Sequence, residues 1–188
     1  MELTELIKGR RSVRKFKPDP IPKEVLDHVM EMAIWAASGM NRQEWYFIVV
    51  QGEKKDQLLK ICAGAFEDVR PHLEKVFEGK PKIVEATKNF FQTFGGAPVL
   101  ILAYAGMGGM GRWDTNSTAL AVGNLMLAAC EAGLGTTWND GILRREKEIN
   151  EFFGITDMQL SCILPIGYPD ETPRVPPRRE GRIQWVGF

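Results

Sequence analysis

The chain has 188 residues, 44% of them apolar, which suits one domain with a substantial core. Its 24 basic and 24 acidic residues cancel to a formal net charge of zero, so a broad nucleic-acid or acidic-membrane footprint is not expected. Cys62, Cys130 and Cys162 are odd in number, far apart and set in apolar runs; they read as buried thiols of a reducing compartment, not as a disulfide frame or a metal site.

Leu3, Leu6 and Ile7 predict a short amphipathic helix, with Thr4 as an early cap and Gly9 ending it in the left-handed region. Gly9-Arg10-Arg11-Ser12-Val13-Arg14-Lys15-Phe16 follows, with four cations among eight residues and no acid. On extended chain, alternate side chains leave on opposite sides, so Arg10, Ser12 and Arg14 share one side. Two forked guanidiniums and a hydroxyl suit a phosphate. Taken alone, such a run is more often a solvated basic surface. Pro18-Asp19-Pro20-Ile21-Pro22 is a rigid connector, and a helix is expected over 23–36. It stops at the small and polar cluster Ala37-Ser38-Gly39-Met40-Asn41. The aromatic and β-branched residues 45–51 predict a strand, apolar enough to be central. Helices follow over 53–62, 66–77 and 82–94, then a second buried strand over 98–104.

After that strand, Gly106-Met107-Gly108-Gly109-Met110-Gly111 matches G-x-G-x-x-G on paper. In a dinucleotide fingerprint the helix begins inside the glycines, so that its N-terminus meets the pyrophosphate. Here Arg112-Trp113 intervene, the best cap is Asp114 or later, and Asp140 lies farther on than the usual acid. A flexible loop near a site mouth, or a plain mobile loop, is the expected reading. A long helix to about residue 132 is apolar on nearly every side, which asks for a partner subunit over part of it. Gly133 caps it. A third strand or extended piece over 134–139 carries Thr136-Thr137-Trp138-Asn139, and Asp140-Gly141 turns the chain. The glycines around that piece would let backbone approach a ligand. A helix over 145–153 and a strand over 160–166 complete the count: about four strands and six or seven helices, an α+β fold in a single domain of residues 1–188. Arg178-Arg179 is a second cation pair that could meet the first in space. Ile183, Trp185, Val186 and Phe188 are apolar where termini are usually polar. Residues 174–188 therefore read as a C-terminal arm reaching a partner subunit. No apolar run reaches the roughly 20 residues of a membrane span, and a cytoplasmic protein is expected.

Arg10-Arg11-Ser12-Val13-Arg14-Lys15-Phe16 resembles the opening motif of the nitroreductase family of flavoproteins. Ser38-Gly39-Met40-Asn41-Arg42-Gln43-Glu44-Trp45 resembles that family's P-S-x-x-N-x-Q-P-W loop, with Ala37 and Glu44 standing where proline is frequent. Gly133-Leu134-Gly135-Thr136 and Pro165-Ile166-Gly167-Tyr168-Pro169 resemble its later landmarks, in order and at similar distances. The resemblance implies a nitroreductase-like fold: a central, mostly antiparallel sheet surrounded by helices, in an intertwined homodimer with two flavins at the interface. It implies FMN as cofactor, NADH or NADPH as donor, and a nitroaromatic, quinone or related small acceptor, with no nucleic acid, membrane or metal involved. Arg10, Arg11, Ser12 and Arg14 would hold phosphate, ribityl chain and pyrimidine edge, joined at the phosphate by Arg178 or Arg179. Ser38, Gly39 and Asn41 would come from the opposite subunit, and Thr137, Trp138, Asn139, Asp140 and Gly141 would lie along the ring. No side chain is implied as an obligatory acid or nucleophile. A flavin-fragmenting or reductively dehalogenating member, or a non-catalytic FMN carrier, is the alternative.

Overall fold

The structure, a computed structural model, describes residues 2–187. Among them four strands form one sheet in the order β1-β2-β4-β3, every neighbouring pair antiparallel. The strands are β1 (Trp45–Gln51), β2 (Val99–Ala105), β3 (Gly135–Thr136) and β4 (Gln159–Gly167). Seven α-helices accompany them: α1 (Leu3–Gly9), α2 (Lys23–Ile34), α3 (Gly52–Ala63), α4 (Ala65–Val76), α5 (Pro81–Thr93), α6 (Thr115–Glu131) and α7 (Glu146–Phe153). This is the α+β architecture expected from the sequence.

The period-two alternation of β2 makes the fold three-layered. Leu100, Leu102 and Tyr104 face a core shared with α3, α4 and α5, while Val99, Ile101 and Ala103 face a second core against α2 and α6. All seven residues of β2 are buried. At about 1.5–3 kcal/mol for each buried large apolar side chain, this strand is the one the fold can least lose. Opposite Ala103 and Tyr104 the register slips, and a bulge at Ser161 puts Leu160 and Ile163 on one face and Cys162 on the other.

Four expectations need correction. β1 is an edge strand, paired only with β2, and Tyr46 and Val49 are exposed. An aromatic and β-branched run marks a strand but not its place in the sheet. Gly9 is not left-handed: α1 closes when the Arg10 N–H donates to the Leu6 carbonyl at 2.9 Å. The helix also starts before Thr4, at Leu3. Finally, α6 is buried on one face only; Ala121, Val122, Leu125, Ala128 and Ala129 pack inward while Ala119, Leu120 and Gly123 face out.

Candidate functional site

The basic run is held as an extra extended segment at the β3 end of the sheet. Ser12 bridges Thr136 in parallel, the Val13 N–H donates to the Thr136 carbonyl at 3.0 Å, and Phe16 bridges Pro169. Val13 and Phe16 are buried and anchor the segment. Two glycines allow its close approach. A Cβ on Gly135 would stand 2.7 Å from the Val13 side chain, and one on Gly95, at φ +68°, would stand 2.0 Å from the Arg14 carbonyl oxygen. The space at Gly135 is therefore filled by the basic run itself, not kept for a ligand.

Beyond Pro169 the chain returns alongside this segment and closes a cavity of about 250 Å³. Its walls are Arg10, Arg11, Ser12, Arg14, Arg174 and Arg178, with Pro173 and Pro176. Arg179 does not line it. Arg174 is a wall that sequence reading missed; its signal is the four-residue spacing to Arg178 across the stiff Pro176-Pro177 pair. The Arg10 Nη1 and Arg11 Nε atoms are buried without a hydrogen-bond partner. Arg11 also caps α1, since its Nη1 donates to the carbonyls of Lys8 at 2.6 Å and Arg10 at 2.7 Å. Unpartnered guanidinium donors are costly, and a dianionic phosphate supplies the acceptors they lack. Arg10 and Arg11 also wall a cleft of about 450 Å³ with Val13, Gly135 and Thr136, which extends the cavity along β3.

Ser38, Gly39 and Asn41 line none of these cavities within the single chain. Their loop is strained: Met40, Asn41 and Gln43 all hold φ of 54°, at a cost of about 1–3 kcal/mol each. Local bonds oppose that cost. The Gln43 N–H donates to Ser38 Oγ at 3.0 Å, and Gln43 Nε2 donates to Asn41 Oδ1 at 3.1 Å. Arg42 then clamps the loop. Its Nε donates to Glu44 Oε1 at 2.9 Å, and its Nη2 lies 3.6 Å from Asp114 Oδ2. Glu44 is thus the partner of Arg42.

The loop 106–111 is the socket for that clamp. A Cβ on Gly109 would stand 2.7 Å from Arg42 Nη1. Asp114 accepts the Ser117 N–H at 2.9 Å and caps α6. This bond, assisted by Arg42, holds the Asp114 carboxyl below the usual carboxylate range. A carboxylate already sits where a pyrophosphate would need positive potential, which removes the dinucleotide reading of the glycines.

The stretch 137–141 mostly turns inward. Thr137 and Asn139 are buried, and Trp138 packs into the core between α2 and α6. Asn139 bridges Ile163, and its Oδ1 accepts the Gly141 N–H at 3.0 Å. A Cβ on Gly141 would meet the Phe91 ring at 2.6 Å, so this glycine serves packing. Asp140 alone is exposed. None of these five residues lines the basic cavity or the cleft beside it; Thr136, just before them, lines the cleft. Among the described residues no helix is long and apolar enough to cross a membrane, and no His, Cys, Asp and Glu group could hold a metal ion.

Comparison with known proteins bears on the family and the fold. The model of the nitroreductase family matches residues 7–168. Iodotyrosine deiodinase of Thermotoga neapolitana is 34% identical, over 99% of this chain and 98% of its own length. A solved iodotyrosine deiodinase bound to FMN and 3-iodo-L-tyrosine is 30% identical over the whole of both chains, with a TM-score of 0.79. The FMN-dependent nitroreductase NfnB of Mycobacterium smegmatis, solved in complex with NADPH, shares the fold at 21% identity, with a TM-score of 0.81 over 97% of both chains. With a shared fold, a matching family model over most of its length and a basic cavity built by its opening motif, the chain belongs to the nitroreductase family.

Proposed function

We propose that the chain is an FMN-dependent oxidoreductase that takes a hydride from NADH or NADPH and reduces a small nitroaromatic, quinone or related acceptor. One observation carries this reading: the cavity of about 250 Å³ walled by five arginines, with buried guanidinium nitrogens that lack acceptors. A single terminal phosphate satisfies them. The carboxylate cap on α6 leaves no second anion site there, which favours FMN over FAD. When bound, FMN supplies the hydride and electron chemistry. The chain's own residues bind and orient. Arg10, Arg174 and Arg178 take the phosphate, and Ser12 and Thr136 follow the ribityl chain. Arg14, at the open wall, is the cation for the N1 edge. Ser38, Gly39 and Asn41 complete the site from a second subunit. Their strained loop is pre-shaped by the Arg42 clamp, and among the described residues Ser38, Gly39 and Asn41 line none of the three cavities of their own chain.

Donor and acceptor share one cavity and bind in turn. Initial-rate plots with NADH or NADPH against a nitroaromatic or quinone are expected to give parallel lines. Intersecting lines, with a ternary complex trapped by product inhibition, would sink the shared cavity.

A second reading is reductive dehalogenation. It is favoured by the end-to-end similarity to iodotyrosine deiodinases, in sequence and in fold. Reduced protein incubated with 3-iodotyrosine then releases iodide at a rate exceeding nitroaromatic turnover; no iodide release removes this reading.

A further inference from the structure

We infer that the cleft between α5 and residues 14–15 is the acceptor site of this enzyme, and that it selects planar aromatic carboxylates. The inference rests on the reading above and gives it a substrate class. The cleft holds about 790 Å³, within the range of about 300–1,000 Å³ common for small-molecule sites. One face of α5 forms its floor. Ile83, Ala86 and Phe90 recur at helical spacing, with Phe77 from the end of α4 beside them. Ile83 is 39% exposed, and Phe90 is held by Phe94 at 5.4 Å between ring centroids. An apolar floor of this shape suits a flat ring.

The rim carries the charge. Arg14, Lys15 and Lys82 line the cleft, and among the described residues none of them is in an ion pair. Glu171 is the single acid in the wall, and its Oε1 already accepts the Arg14 backbone N–H. The threonines cannot recognise an anion by donating. The Thr87 hydroxyl donates to the Ile83 carbonyl at 2.9 Å and the Thr93 hydroxyl to the Asn89 carbonyl at 2.8 Å. Asn89 adds a neutral amide donor to the wall, so charge recognition of an anion falls to the cations, and Lys82 is the one rooted in α5 itself. Arg14 is also a wall of the basic cavity. A ring on Phe90 with its carboxylate at Lys82 therefore lies beside whatever Arg14 holds.

Isothermal titration of the FMN-loaded protein with benzoate and with benzamide tests this without turnover, since neither ligand is reduced. Benzoate is expected to bind about tenfold tighter than benzamide, the size of about 1.4 kcal/mol. Lys82→Gln is expected to bring the two within about threefold by weakening benzoate alone, and Lys82→Arg to keep most of the preference. Lys82 is exposed in the first turn of α5, so both variants fold. Equal binding of the two ligands to the unaltered protein, or a preference untouched by Lys82→Gln, would overturn the inference. A purified protein that takes up no FMN would overturn the reading beneath it as well.

Discussion

Arg10 and Arg11 are neighbours with different tasks. Arg11 spends one guanidinium nitrogen on the last carbonyls of α1, whereas Arg10 has a buried Nη1 with no partner. Charge-assisted bonds to phosphate contribute about 1.5–3 kcal/mol each. Arg10→Ala should therefore weaken FMN roughly ten- to hundredfold. Riboflavin, which lacks the phosphate, should lose little. Titration of apoprotein with each flavin checks this, and equal losses would remove Arg10 from the phosphate. Arg11→Ala should weaken FMN as well, since its Nε is also buried without a partner, and should in addition lower thermal stability through α1.

Gly135 shows how an element positions the site. The Val13 side chain occupies the room that a Cβ there would need. Gly135→Ala should cost about 1–3 kcal/mol by overpacking and weaken FMN by displacing the basic run. A variant with unchanged melting temperature and FMN affinity would contradict that. On the other side of the molecule, Asp114 joins α6 to the strained loop 38–43. Asp114→Ala should cost about 0.5–2 kcal/mol at pH 7 by loss of the cap. Because folding lowers the Asp114 pKa, its charged form adds stability above the ordinary carboxylate value, and this is lost as pH falls through the folded value. The gap between variant and parent in urea unfolding should thus narrow below about pH 4. Much of this was legible in the residues. β1 was read to its ends because a run of aromatic and β-branched residues is bounded by polar ones. Residues 134–139, expected as a strand or extended piece, are a two-residue strand followed by extended chain. Only Gly135 and Thr136 pair regularly, after which Trp138 turns into one core and Asn139 bridges Ile163. Sequence marked Gly135 and Gly141 as places lacking a Cβ. It could not say that Val13 and Phe91 fill them.

The whole molecule leaves apolar surface that a second copy would cover. On α6, Leu120 is 54% exposed beside Ala119 and Gly123, and in the tail Ile183 is 74% and Val186 77% exposed. Residues 174–187 carry neither helix nor strand, and Phe188 lies outside the described residues. Burying one such side chain fully contributes about 1.5–3 kcal/mol. We propose that the tail crosses to the partner, with Arg174 and Arg178 at its root fixed at the phosphate cavity. Deleting residues 181–188 should make the dimer dissociate more readily on dilution and reduce its FMN content, as read by sedimentation and flavin absorbance. A truncated protein that stays dimeric and fully yellow would place the interface elsewhere. The proposed function requires that bound FMN turn over. Anaerobic absorbance of the purified protein tests it most directly. The account predicts a yellow protein that bleaches on addition of NADH or NADPH and recovers its colour when a nitroaromatic or quinone follows. A protein that stays yellow with both donors would contradict it and leave a flavin carrier in its place.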